Sequence, residues 1–147
     1  MSNEPTSAWA GPGESPGFLL WRVTLAWQRA MRAALAPHDL THVQFVLLAA
    51  LWWLEDHSGP PSQQRLADQA GTDPMMTSQV IRKLADRDLV QREPDPQDAR
   101  AKLLHVSPSG RKLLKKALKD VEQADADYFA ALGQAAPDFL RGLAKLA

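Results

Sequence analysis

The chain contains no cysteine. That excludes a disulfide framework, a thiol redox switch and a cysteine-ligated zinc finger, and it fits a reducing, cytoplasmic setting. No apolar run approaches the roughly 18 residues that cross a bilayer, so no membrane partner is expected. There is no glycine-rich phosphate loop, no nucleophile–base signature and no paired acidic constellation. Catalysis is not expected, and no cofactor is implied. Of the four histidines, His38 and His42 are four apart, but Pro37 puts His38 at a helix boundary. His57 and His105 lie far away in the sequence, and no neighbouring acid cluster has ligand spacing, so no metal site is expected.

An excess of either charge is also missing, with 17 basic and 17 acidic residues in 147. The distribution is nevertheless uneven. Residues 62–116 hold eleven basic and seven acidic side chains, while both flanks are net acidic. A local basic surface matters more to a polyanion than the total does. The length suits one domain able to bury a sizeable core. Residues 1–17, rich in Pro, Gly, Ser and Glu, have no basic start or apolar stretch, so they are expected to form a disordered arm and not a secretion signal. Trp9 in that arm either docks on the domain or stays loose.

Apolar residues at spacings of three and four predict a helix over 18–35, with Leu20, Val23, Trp27 and Met31 on one side. Trp21, Leu25 and Ala26 widen its apolar coverage, as in a helix buried on several sides. Pro37 ends it. A second, almost wholly apolar helix is expected over 41–55. Its neighbours Trp52 and Trp53 stand about 100° apart around the axis, so one is expected in the core and the other against a partner element or pocket.

Two short helices follow, over 63–70 and 74–87, joined by the tight turn Ala70-Gly71-Thr72. Ser62 and Asp73 can cap them, and Pro74 suits a first helical position. This is the signature of a helix-turn-helix. The strand-like runs 89–92 and 102–106 flank a loop of turn-formers and charges, which predicts a β-hairpin with an exposed tip. Ser107-Pro108 opens a long helix to about Leu132, and a short helix closes the chain from Ala136 or Pro137.

In the second short helix Val80, Ile81 and Leu84 point inward, leaving Thr77, Ser78, Gln79, Arg82 and Lys83 for solvent or DNA. Gln pairs bidentately with adenine, and Arg or Lys with guanine, in the major groove. Gln79 and Arg82 or Lys83 are therefore the expected base readers, with Ser78 and Thr77 on phosphates. Met75 and Met76 either touch thymine methyls or pack on the neighbouring helix. On the hairpin, Arg100 suits entry into a minor groove, with Lys102 beside it.

These pieces resemble the multiple antibiotic resistance regulator (MarR) family in order and spacing. The matching segments are Gln64-Arg65-Leu66-Ala67, Met76-Thr77-Ser78-Gln79-Val80-Ile81-Arg82-Lys83-Leu84, Leu89-Val90-Gln91-Arg92, Asp95-Pro96-Gln97-Asp98-Ala99-Arg100-Ala101 and Val106-Ser107-Pro108-Ser109-Gly110. Leu40-Thr41 with Gln44-Phe45 matches as well. Asp88 stands where the family often has Gly, Arg65 where Glu is common, and Ala99 and Ser107 where Arg and Thr are. Gln79 replaces a frequent basic residue, which should change sequence preference.

The resemblance implies a mainly α winged helix-turn-helix with a small β-hairpin wing, over residues 18–147. Segments 18–40 and 108–147 would form a homodimer, and 41–107 would bind double-stranded DNA. It further implies that Asp98 orients Arg100 by a bidentate pair. A small aromatic effector would bind between the dimer helices and the winged unit, where Trp21, Arg22, His42 and Trp53 supply stacking surfaces and a cation. Aromatics at helical spacing serve equally well as core. A winged helix used only for protein association is the alternative, and Arg100 with Lys102 on an exposed hairpin speaks against it.

Overall fold

A computed structural model describes residues 3–147. Met1 and Ser2, the start of the expected arm, lie outside the described residues. The element order is α1 (Pro16–Leu35), α2 (His42–Ser58), α3 (Gln63–Ala70), α4 (Pro74–Asp86), β1 (Val90–Asp95), β2 (Asp98–Val106), α5 (Pro108–Phe129) and α6 (Ala136–Leu146). Short 3₁₀ turns precede α1, follow it, and bridge α5 to α6. Among the described residues no single helix is long and apolar enough to cross a membrane.

The helix starts are written in side-chain caps. Ser15, Thr41, Ser62, Asp73 and Ser107 each accept a hydrogen bond from the backbone N–H three residues on, satisfying a donor that the helix itself leaves free. At Thr41 the box is reciprocal, because Gln44 Oε1 accepts from the Thr41 N–H at 3.0 Å. Ser15 starts α1 at Pro16, two residues before the apolar periodicity begins, so part of the expected arm belongs to the helix. The α2 helix runs three residues beyond the expected end, and α5 stops three residues short of Leu132.

The core is centred on α2. Leu47, Leu48 and Leu51 are fully buried with Met31 and Leu35 of α1 and Leu114 of α5. Leu66, Ile81, Leu84 and Leu104 join them from α3, α4 and the hairpin. Neither Trp52 nor Trp53 fills this core, contrary to expectation, and both remain over a third exposed. Leu47, Leu48, Leu51 and Leu54 already occupy the inner face of α2, so both indoles are turned outward. Trp53 stacks on His57 with ring centroids 4.2 Å apart.

One junction sets the wing on the domain. Asp88 takes the left-handed conformation, with φ 59°, as expected for a polar residue replacing glycine. Its carbonyl accepts hydrogen bonds from the hydroxyls of Ser107 and Ser109, at 2.6 and 2.7 Å. Gly110, in the first turn of α5, lies against Leu89.

The antiparallel hairpin is longer than expected. β1 reaches Asp95 and β2 begins at Asp98, leaving only Pro96-Gln97 at the tip. Pairing runs in register from Val90↔Val106 to Pro94↔Lys102 and then slips to Asp95↔Asp98. Ala99, Arg100 and Ala101 therefore have no partner opposite them, which is the local two-strand mismatch of a bulge. Leu104 N–H donates to the Pro61 carbonyl at 2.9 Å, tying the base of the wing to the segment before α3.

Candidate nucleic-acid interface

Helix α4 and the wing converge on one side of the molecule. A groove of about 370 Å³ between them is lined by Ser62, Gln63 and Gln64, by Ser78 of α4, and by Arg92, Arg100 and Lys102 of the hairpin. Ser78, Arg100 and Lys102 were expected from the sequence. Gln63, Gln64 and Arg92 were not. Arg92 reads as one more polar residue in a strand, and only the register that pairs it with Leu104 sets it near Arg100.

The charged ends of Arg82, Lys83, Arg92, Arg100 and Lys102 have no ion pair or hydrogen-bond partner among the described residues. Five unpaired cations around one groove and its neighbouring helix face make an electropositive surface suited to phosphates. Gln79, Arg82 and Lys83 are exposed on α4, and Met75 at its start is 73% exposed. Met76 is also exposed, though less so.

Two expected roles are corrected. Thr77 does not face outward: it is fully buried, and its hydroxyl lies 2.8 Å from the Asp73 carbonyl and 2.7 Å from Thr72 Oγ1. Spacings of three, four and seven bring Thr77 onto the same inner face as Val80, Ile81 and Leu84, so its hydroxyl locks the turn of the helix-turn-helix. Asp98 does not grip the Arg100 guanidinium either. Its Oδ1 accepts from the Arg100 backbone N–H at 3.0 Å, which holds the bulge and leaves the guanidinium free. Arg100 stands in that bulge, two residues past Asp98, and not at the tip.

The four side chains expected at an effector pocket do not line one cavity of the chain. Trp21 is 62% exposed. Arg22 lines a shallow groove with Leu19, Val23, Ala26 and Tyr128. His42 meets the edge of Trp27, at 5.0 Å between centroids, while Trp27 Nε1 donates to Asp125 at 2.8 Å. Burial lowers the His42 pKa; Asp125 pulls it up and Arg32 pushes it further down, and the net direction is down. Trp53 is engaged with His57, whose ring lies 2.7 Å from the Trp53 carbonyl. What sequence reading missed is a groove of about 290 Å³ between α2 and α5, lined by Trp52, Arg111, Leu114, Lys115 and Leu118. It offers an indole, two cations and two leucines.

A helix-turn-helix followed at once by a basic hairpin, with the second helix and the hairpin sharing a cationic groove, defines a winged helix-turn-helix DNA-binding transcriptional regulator. A model of the MarR family matches residues 40–102. The chain belongs to the MarR family. The HTH-type transcriptional regulator YdcH of Bacillus subtilis is 42% identical over 140 residues, which cover 95% of each chain. The HTH-type transcriptional repressor Rv2887 of Mycobacterium tuberculosis is 35% identical over 133 residues, covering 88% of this chain and 91% of its own. Among solved structures, Bordetella bronchiseptica BpsR, described by the regulation of its DNA binding by 6-hydroxynicotinic acid, superposes with a TM-score of 0.78 at 28% identity, covering 88% of this chain and 96% of that one.

Proposed function

We propose that this regulator is a cytoplasmic homodimeric repressor that binds a pseudo-palindromic operator and is released by a small aromatic anion. The observation that carries the reading is the groove in which Ser78 of α4 meets the unpaired cations Arg92, Arg100 and Lys102. In it α4 enters a major groove, with Gln79 and Arg82 or Lys83 on base edges and Ser78 on a phosphate. Met75 lies near thymine methyls. Arg100, lifted by the bulge, reaches the adjacent minor groove, and Lys102 and Arg92 hold the intervening backbone.

A dimer is supported by the apolar surface at the two chain ends. Phe18, Leu19, Leu20 and Trp21 of α1, and Leu140 and Leu146 of α6, are all exposed in the single chain. Apolar side chains exposed at both ends favour a partner, and a second copy of the same ends covers them with two-fold symmetry. The two α4 helices then address half-sites about 34–36 Å apart. The activity is binding and not catalysis.

The effector reading rests on the groove beside Trp52, where a planar ring stacks on the indole and a carboxylate pairs with Arg111 or Lys115. Arg22 and Trp21 lie outside that groove, on the surface given to the dimer. Selection of genomic fragments by the purified protein, followed by footprinting, tests the operator. The expected result is one protected pseudo-palindrome overlapping a promoter, and the absence of any enriched sequence contradicts the reading.

A further inference from the structure

The base of the wing carries a charged cluster that does not line the cationic groove. His105 of β2 sits between two carboxylates: its Nδ1 is 3.2 Å from Glu55 Oε1 on α2, and its Nε2 meets Glu93 Oε1 on β1. Glu55 is the pivot. Its Oε2 accepts the backbone N–H of Val106 at 3.1 Å, and its Oε1 also pairs with Arg111 Nη2 of α5 at 3.1 Å. One carboxylate of the core helix thus holds the end of β2, the ring of β2 and the first turns of α5 together.

We propose that His105, clasped by Glu55 and Glu93, is a proton-operated latch that fixes the angle of the wing on the core, so that the grip on duplex DNA loosens as the pH rises and the ring loses its second proton. Two nitrogens facing two carboxylates demand two N–H donors, and only the imidazolium supplies both. When the ring is neutral, one nitrogen becomes an acceptor facing a carboxylate, and one of the two clasps opens. Partial burial works against the charged ring, but the hydrogen bonds it donates to Glu93 and Glu55 and their negative charge outweigh it and hold the His105 pKa above its ordinary value of 6.5. The release therefore falls on the alkaline side of that value.

Among the described residues, Arg111 is the other charged group that shares Glu55 Oε1 with His105. From α3, which also packs on β2, the charged groups Arg65 and Asp68 are engaged with Ser58 and Gln64. Arg111 approaches Glu55 and steadies its charge. Because Arg111 also lines the Trp52 groove, an anion taken up there competes with Glu55 for the guanidinium and disturbs the same pivot. That link rests on the effector reading; the latch itself does not.

The test measures amide hydrogen exchange of residues 90–106, corrected for intrinsic rates, between about pH 6 and about pH 8.5. Wild-type hairpin amides should lose protection about threefold or more relative to α2 amides, with a midpoint matching the His105 ring titration followed by NMR. His105→Gln should abolish the step. Glu93→Gln, on the exposed strand, should move the midpoint down while the wing stays folded. A step that persists in His105→Gln, or no step in the wild type, overturns the latch. The affinity for the selected duplex should fall several-fold over the same range in wild type and stay flat in His105→Gln. A flat wild-type affinity beside a clear exchange step overturns the coupling to DNA. A protein that binds no duplex refutes the operator reading, while the exchange measurement still decides the latch.

Discussion

Gly110 and Leu89 are packed main chain against main chain: a Cβ on Gly110 would stand 2.1 Å from the Leu89 carbonyl oxygen. That oxygen also accepts the Ser107 N–H at 3.0 Å, so it has no freedom to retreat. The contact joins the start of β1 to the start of α5 and sets where the wing leaves the domain. Gly110→Ala should cost about 1–3 kcal/mol of stability from overpacking. Urea denaturation at fixed protein concentration reads this, and an unchanged midpoint would show that the junction yields without strain.

Thr77 separates turn chemistry from base reading. Thr77→Val removes a buried hydroxyl and leaves Thr72 Oγ1 without its 2.7 Å partner, at a cost of about 1–3 kcal/mol. At temperatures where the variant is folded, its duplex affinity should match wild type. A large loss of affinity without a loss of stability would put Thr77 back on the DNA surface.

Gln79 tests specificity. It is exposed on the outer face of α4 and its amide has no partner among the described residues. Gln79→Ala should weaken binding to the preferred duplex by about 1–3 kcal/mol and relax the choice of base at one position per half-site. Equal weakening on every sequence would reassign it to a phosphate.

The pH response of His42 has the opposite sign to that of His105. Burial beside Trp27 depresses the His42 pKa below 6.5, so the unfolded chain binds the proton more readily. The resulting stability is fully present above 6.5 and is lost as the pH falls through the depressed value. His42→Gln should flatten the acid side of a stability–pH curve and leave the alkaline side, where His105 acts, unchanged. A curve of unchanged shape would remove His42 from the account.

Local chemistry was legible in the sequence, and distant juxtaposition was not. Ser62, Asp73 and Ser107 announced three helix starts because a cap and its N–H are only three residues apart. Val80, Ile81 and Leu84 announced the inner face of α4 by their spacing. The wing was read short because Glu93-Pro94-Asp95 is turn chemistry locally, while pairing to Leu103 and Lys102 keeps it extended. Thr77 was misplaced because a threonine suits a surface and a satisfied buried site equally well. The Glu55–His105 contact spans 50 residues and starts from the polar last turn of an apolar helix. Glu55 stands beside Asp56 and His57 at the polar end of that helix, so nothing in the sequence set it apart. Arg92 had no trace either, since its meaning depends on the hairpin register.

The central claim is that the wing and α4 together grip a duplex, and a salt titration tests it most directly. Fluorescence anisotropy of the selected duplex should show affinity falling steeply with salt, with a slope of about −0.9 for each phosphate neutralised. Arg100→Ala should bind more weakly and with a slope shallower by about one per protomer. Weak binding that ignores salt, or a mutant curve that overlies wild type, would contradict the account and leave the winged unit as a surface for protein association.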